Sequence, residues 1–557
     1  MRTAVTAVFD AVSGSLRGRD TPALAARLFW VLLAIVLVTS LALLALGPPI
    51  IIRFIDDMPI LLDGGWRVYQ GHLPHVDFYT PLGPVTLMLV GLGMVLAGPS
   101  VQGMVVANVI VLVVTSLWAW MLGRSRMAAV PALLFALYVC FVVAGVQVFG
   151  WDLTVSGFSA VYNRYATALL ALLLVESFGH VRAADDRTGS HAAFLGGVSS
   201  GILLVLLFFL KLNYFGIALL GIGVGPLATH HTPRRWWGVV AGAAAALVAM
   251  LAYLHFDVGA VWHDISMGVR ARSGMMFDQL FDYVGNLFHR FPTESVVPLT
   301  LLFLTWRAAP SRGGVGAVGI GRLAPRVRQA GVVLFLLLSH VAIFISNTQE
   351  ETPALFPLAG LLLLSEYRER TRGETWTDGA ERRRTLGPLA GYTVLLTALL
   401  VVPNAASMAY AAHYKANTTI TMQFDSPSLY NLYPKQDSTY GKEYFVKMHD
   451  GMTLLRDKSS PGDRIVVLDF TNPFSLALLR PSPRGDALWW HEHLSFSEDV
   501  HLPPERVFAQ ADVVMLAQTE AQESLLIDLY GPYLQRHFTL TARTDHWRLF
   551  HHNQAGP

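Results

Sequence analysis

Asp56-Asp57-Met58 opens a stretch that continues through Gly64-Gly65-Trp66-Arg67-Val68-Tyr69-Gln70-Gly71-His72-Leu73-Pro74-His75-Val76-Asp77-Phe78-Tyr79-Thr80-Pro81-Leu82-Gly83-Pro84. It follows closely on the first long apolar run, residues 28–47, which ends at Gly47-Pro48-Pro49. Two adjacent carboxylates therefore stand where the chain leaves an apolar segment. A paired acid at a membrane face is costly to desolvate, and serves function more often than an acid on a soluble surface. The plain alternative is that Asp56 and Asp57 cap or solvate the start of a helix.

Composition supplies the membrane. Of 557 residues, 53% are hydrophobic and 14% charged, and the mean hydropathy is +0.45. Repeated runs of about twenty apolar residues each suffice to cross about 30 Å of hydrocarbon as a helix, which defines a polytopic all-α membrane protein. The lone cysteine, Cys140, lies inside an apolar run, reads as a small core residue and cannot form an intrachain disulfide. Arg2, Arg17 and Arg19 precede a first run too long for the core of a cleaved signal, so that run is expected to remain as a span.

Spans are expected at 28–47, 102–122, 128–148, 163–180, 193–210, 213–228, 238–255, 294–306, 330–346, 353–365 and 387–403. The run 82–98, with Gly83, Pro84, Gly91, Gly93 and Gly98, is ambiguous, because as a helix it reaches only about 25 Å. Basic residues decide its status, since short cytoplasmic loops collect Arg and Lys. If 82–98 does not cross, the N-terminus joins Arg124/Arg126, Arg182/Arg187, Arg234/Arg235, Arg307 to Arg328 and Arg368 to Arg384 on the cytoplasmic side. If it crosses, either the N-terminus or every later basic loop lies on the wrong side. The reading is about eleven spans, with 82–98 a juxtamembrane helix inside the first external loop, 48–101. The other external segments are 149–162, 211–213, 256–293, 347–352 and everything after 404. The Gly-rich run 313–321 follows no strand and lacks a phosphate-loop lysine, and no nucleic-acid signature is present.

After Pro403 lysine and aspartate rise and the apolar runs shorten, dividing the chain into a transmembrane part, 1–403, and a soluble external α/β domain, 404–557. Arg464–Phe470 and Asp512–Leu516 read as buried parallel strands, 524–535 as a helix and 538–550 as a closing hairpin. Within this domain Trp489-Trp490-His491-Glu492-His493 lacks the spacing of a zinc protease. Its indoles suit either stacking on a sugar or packing onto the membrane surface.

The opening stretch resembles the first periplasmic loop of the polyprenyl-phosphate-dependent membrane glycosyltransferases of the GT-C fold, whose bacterial members include the dolichyl-phosphate-mannose-protein-mannosyltransferase-like and ArnT-like enzymes. The readable motif is shorter than about thirty residues. Family members commonly carry Asp-Glu where this chain has Asp56-Asp57. The resemblance implies an inverting transferase in the bacterial inner membrane, N-terminus cytoplasmic and C-terminal domain periplasmic. It would move a sugar from a polyprenyl-phosphate donor to a glycan, lipid or protein acceptor. It implies Asp56 as general base, with Asp57 as its neighbour, and Asp152 in the second external loop as an assisting acid or metal ligand. Asp152 also reads as an interfacial acid beside Trp151.

Such a reaction needs a base within reach of the acceptor hydroxyl and cations that hold the departing phosphate. Lys211 interrupts the apolar stretch Leu206–Tyr214 at the external mouth of two spans and is the leading cation, though a snorkelling structural lysine would look the same. Arg270 and Arg272 follow, and His72, His75, Asp77, Tyr79 and Glu350 complete the candidate substrate-binding set. No cofactor is required; the His72/His75 pair leaves a divalent metal open. The rival reading is a transporter or flippase, which would show internal repeats and polar mid-membrane breaks. A scaffold whose tail is a binding module is a third.

The parity argument has a direct check. Single cysteines at Ala23, ahead of the first run, and at Thr232, beside Arg234, should be labelled from the same, cytoplasmic side. Labelling from opposite faces would make 82–98 a span.

Overall fold

The computed structural model describes residues 20–48, 50–51, 55–147, 154–158, 161–182, 186–229, 232–272, 292–308, 325–347, 355–370, 379–518 and 521–553. Each expected apolar span lies on a helix. In chain order the helices are α1 (Pro22–Leu46), α2 (Met58–Tyr69), α3 (Pro84–Ala97), α4 (Gln102–Arg126), α5 (Ala129–Ala144), α6 (Val161–Phe178) and α7 (Asp186–Phe208). There follow α8 (Leu212–Ala228), α9 (Pro233–Tyr253), α10 (Val258–Ala271), α11 (Pro292–Ala308), α12 (Pro325–Asn347), α13 (Phe356–Arg370) and α14 (Gly379–Asn417). Among the described residues, six helices are long and apolar enough to cross a membrane by themselves. The run 82–98 is the 14-residue helix α3, packed against α2 within the first loop.

Local chemistry sets the helix ends. The Thr21 side chain accepts from Leu24 N at 3.2 Å, Pro22 fills a position that needs no donor, and Gly47 leaves α1 at φ 68°. The outward faces stay apolar: Leu37, Val38 and Leu41 on α1, and Trp237, Val240 and Val248 on α9, are exposed, as surfaces that meet acyl chains should be. Between helices, where lipid removes the hydrophobic drive, small residues permit close approach. Gly197 and Gly201 on α7 face Gly238 and Gly242 on α9, and a Cβ at Gly201 or Gly242 would stand 2.2 Å from the facing backbone carbonyl. Where α4, α6 and α9 meet, the buried Glu176 accepts from Arg126 at 2.9 Å, from Arg235 at 2.6 Å and from Ser200 Oγ at 2.6 Å. One carboxylate thus holds two arginines from two of the expected cytoplasmic loops.

The sequence boundary at residue 403 falls inside a helix. α14 contains Pro403 and runs on to Asn417, so residues 404–417 continue that helix. Proline inside a membrane helix is tolerated because neighbouring groups re-satisfy the freed backbone. Beyond it come α15 (Thr439–Lys458), β1 (Ile465–Leu468), β2 (Val513–Ala517), α16 (Ala521–His537), β3 (Phe538–Arg543) and β4 (Trp547–His552). The sheet order is β1-β2-β4-β3. β1 and β2 are parallel, with Ile465 opposite Val513, and β4 joins antiparallel to β2 and β3. Every residue of β1 and β2 is buried, as their unbroken apolar runs require.

The first loop and this domain are one packed body. Arg67 on α2 is fully enclosed: Nε donates to Asp63 at 2.8 Å, while Nη1 and Nη2 donate to Asp486 at 2.6 and 2.9 Å. Trp66 Nε1 donates to Arg480 O, Tyr79 N to Asp486 O and Gly485 N to Asp77 O. Removing one partner from a buried ion pair strands the other charge, at a cost of about 3–5 kcal/mol. Asp486→Asn should therefore lower the melting temperature in detergent and make the 480–496 segment protease-sensitive. Unchanged melting would mean that Arg67 is not the anchor.

Candidate functional site

A cavity of about 200 Å³ opens where the Pro81–Pro84 segment meets the turn between α7 and α8. Its walls are Pro81–Pro84 of the loop, the turn from Phe208 to Asn213, the inner face of α10, and Trp489 and Leu494 of the C-terminal domain. Close approach of loop to turn depends on Gly83, where a Cβ would lie 2.0 Å from Phe209 O. Among the described residues, the polar side chains in the lining are His75, Tyr162, Lys211, Asn213, Arg272 and the Trp489 indole, with no carboxylate.

Lys211 precedes α8 and bonds to Asn163 Oδ1, with its ammonium 4.6 Å from the Tyr162 ring centroid. Arg272 caps α10 and donates to Ser346 O at 3.0 Å. The two expected cations thus reach one cavity from separate helices. His75 joins them with its backbone at φ 69° and its Nδ1 3.0 Å from Asp264 Oδ2. Asp264, on the buried face of α10, also accepts from Thr80 N at 3.0 Å. It ties α10 to the loop, so the position of Arg272 depends on it.

Asp56 and Asp57 belong to a neighbouring cluster and not to the cavity lining. Asp56 is half-buried beside Asp469, Lys447 and Tyr444, the last three contributed by the C-terminal domain. Burial, and then the Asp469 carboxylate, push the Asp56 carboxyl up to about 7; Lys447 opposes them and Asp57 adds to them. Lys447 Nζ pairs with Asp469 Oδ2 at 2.9 Å. The two clusters adjoin: Thr471 Oγ1 meets Asp56 O at 3.5 Å, and Thr471 bridges antiparallel to Trp489, which lines the cavity.

The remaining candidates separate by what their polar atoms do. The Tyr79 hydroxyl donates to Ser495 O at 2.8 Å, and Asp77 accepts from Leu73 N at 2.7 Å and pairs with Arg484 at 3.2 Å. Both serve the junction between loop and domain. Arg270 is exposed, outside the cavity lining, and its Nε turns back to Ser266 O at 3.4 Å. His72 is buried, its Nδ1 without a partner; burial, with Arg67 and Arg484 nearby, pushes it down to about 4, so it is neutral at pH 7. Asp152 and Glu350 lie outside the described residues. Among the described residues no group of three metal-ligating side chains converges.

Sequence reading passed over Asp469 and Lys447. Asp469 stands just beyond the carboxyl end of β1, the place where α/β sheets present functional groups, and that signal was available. Lys447 on α15 gave none, because only tertiary packing brings its ammonium to that strand end.

No family model matches the chain, and no curated protein matches it. Among solved structures, the chain is similar to ArnT from Cupriavidus metallidurans bound to undecaprenyl phosphate, at 12% identity and a TM-score of 0.47, over 95% of this chain and 99% of that one. The apo state of the same protein gives 13% and 0.47, over 96% and 100%. The oligosaccharyltransferase of Archaeoglobus fulgidus in complex with Zn and sulfate is similar at 11% identity and a TM-score of 0.37, over 90% of this chain and 71% of that one.

Proposed function

We propose that the chain is a membrane glycosyltransferase of the GT-C type. It moves a sugar from a polyprenyl-phosphate donor to a hydroxyl of an acceptor at the external face, by a single in-line displacement with inversion. The observation that carries this reading is the pairing of a cavity whose described lining holds two cations and no carboxylate with an adjoining half-buried acid poised near neutrality. Together they supply the anion site and the base that such a transfer requires.

In this reading Lys211 and Arg272 grip the donor phosphate, and Phe208, Val261, Ile265 and Val269 line the path for the first prenyl units. Asp56, ionised, takes the proton of the acceptor hydroxyl as its oxygen bonds to the anomeric carbon. The bond from that carbon to the phosphate oxygen breaks, and its electron pair leaves on the phosphate, where the two cations stabilise the added charge. The elevated Asp56 carboxyl suits the task, because a base is most effective when its pKa lies near the working pH. Asp57 and Asp152 are proposed as helpers of Asp56. Arg270, which turns away from the cavity, becomes a rim residue.

Released polyprenyl phosphate, measured with purified protein in nanodiscs and a panel of polyprenyl-phosphate sugars, tests the assignment. Asp56→Asn should reduce turnover by about 10²-fold or more, whereas Asp77→Asn should preserve it. Solute flux into liposomes without any donor cleavage would instead favour a transporter.

The pH profile gives a sharper check. Asp56 must be ionised to act, so turnover should rise with pH through about 7. Lys447→Met removes the cation that favours the ionised form and should move that limb to higher pH. Asp469→Asn removes the repelling carboxylate and should move it lower. Shifts in the same direction for both variants would take Asp56 out of the base role.

A further inference from the structure

The Trp489-Trp490 pair divides by environment. Trp490 Nε1 donates to Val467 O at 3.1 Å, and its ring meets Phe496 and Tyr530 edge-on, so it belongs to the domain core. Trp489 is only 7% exposed and stands in the cavity wall, and its enclosed Nε1 has no acceptor among the described residues. Its backbone is fixed on two sides, by the bridge to Thr471 and by Ser495 Oγ, which donates to Trp489 O at 3.0 Å. The indole is therefore held in place with its one donor unused.

A buried donor left unpaired bears its full desolvation penalty, so an N–H on a cavity-lining residue, unpartnered among the described residues, points to an acceptor that arrives from outside. The indole nitrogen only donates, and phosphate oxygens only accept. Its company in the lining includes Lys211, Arg272 and Asn213, with no carboxylate among the described residues. We propose that Trp489 is a ligand-binding residue whose indole N–H donates to the phosphate of the lipid-linked ligand held by Lys211 and Arg272. The C-terminal domain then supplies one wall of the anion site. This rests on the cavity being the polyprenyl-phosphate site.

The test uses full-length protein in nanodiscs with undecaprenyl phosphate as the probe. Trp489→Phe keeps the ring and removes the donor, and should weaken binding roughly tenfold or more, the scale of a hydrogen bond to a charged group. Trp489→His, which restores a ring N–H, should recover part of the loss. In protein carrying 5-fluorotryptophan, the fluorine resonance missing from either variant should move when undecaprenyl phosphate or inorganic phosphate is added. Equal displacement by undecaprenol, which has no phosphate, would overturn the assignment. So would wild-type affinity in Trp489→Phe alongside weakened binding in Lys211→Gln, an outcome that leaves the glycosyltransferase reading standing. Absence of undecaprenyl phosphate binding by the wild-type protein would overturn both.

Discussion

The fully enclosed guanidinium of Arg67 fixes the relation between the two halves of this molecule. Its donors are divided between Asp63 on its own helix and Asp486 in the C-terminal domain, and its plane lies 5.1 Å from the Phe78 ring centroid. A charge so deeply buried is tolerated only when every direction is satisfied, so the geometry around it is strongly specified. Because Tyr79 pairs with Asp486 and Leu488 within the same junction, the position of the 487–496 segment follows from that of Arg67. That segment carries Trp489 to the cavity and, through its bridge to Thr471, sets the neighbourhood of Asp56.

Charge is sorted across this junction. Cations stand in the cavity at the ends of helices, each anchored by an uncharged partner: Asn163 for Lys211 and the Ser346 carbonyl for Arg272. Carboxylates gather one layer away, where Asp56 faces Asp469 with a single lysine among them. Arg67, by contrast, has its charge held by two buried carboxylates. The two sets of charges remain distinct because different stretches of chain supply them.

Much of this was legible in residue order. Apolar length locates the helices, including the short one in 82–98, because that signal is local and adds along the chain. Lys211 stands out for a similar reason, as a charge in an apolar stretch. The run β1-β2 is recognisable because strands buried on both faces need unbroken apolar residues. What residue order hides is pairing at a distance. Tyr79 and Asp77 look like ligands in sequence and serve as joints in the fold, since their partners lie in the C-terminal domain. Asp264 looks like one more loop acid, yet it anchors His75 and Thr80. The change of composition after Pro403 does not coincide with a helix end, because the same helix runs on to Asn417 with a more polar sequence.

The Arg67–Asp486 contact joins residues 419 positions apart. During synthesis, α2 emerges long before its partner exists, and Arg67 lacks the Asp486 carboxylate until the chain around residue 486 has been made and folded. Assembly of the cavity is therefore among the last events in the life of the nascent chain. A polypeptide interrupted before residue 486 can insert most of its helices and still lack both the wall bearing Trp489 and the neutralising carboxylate.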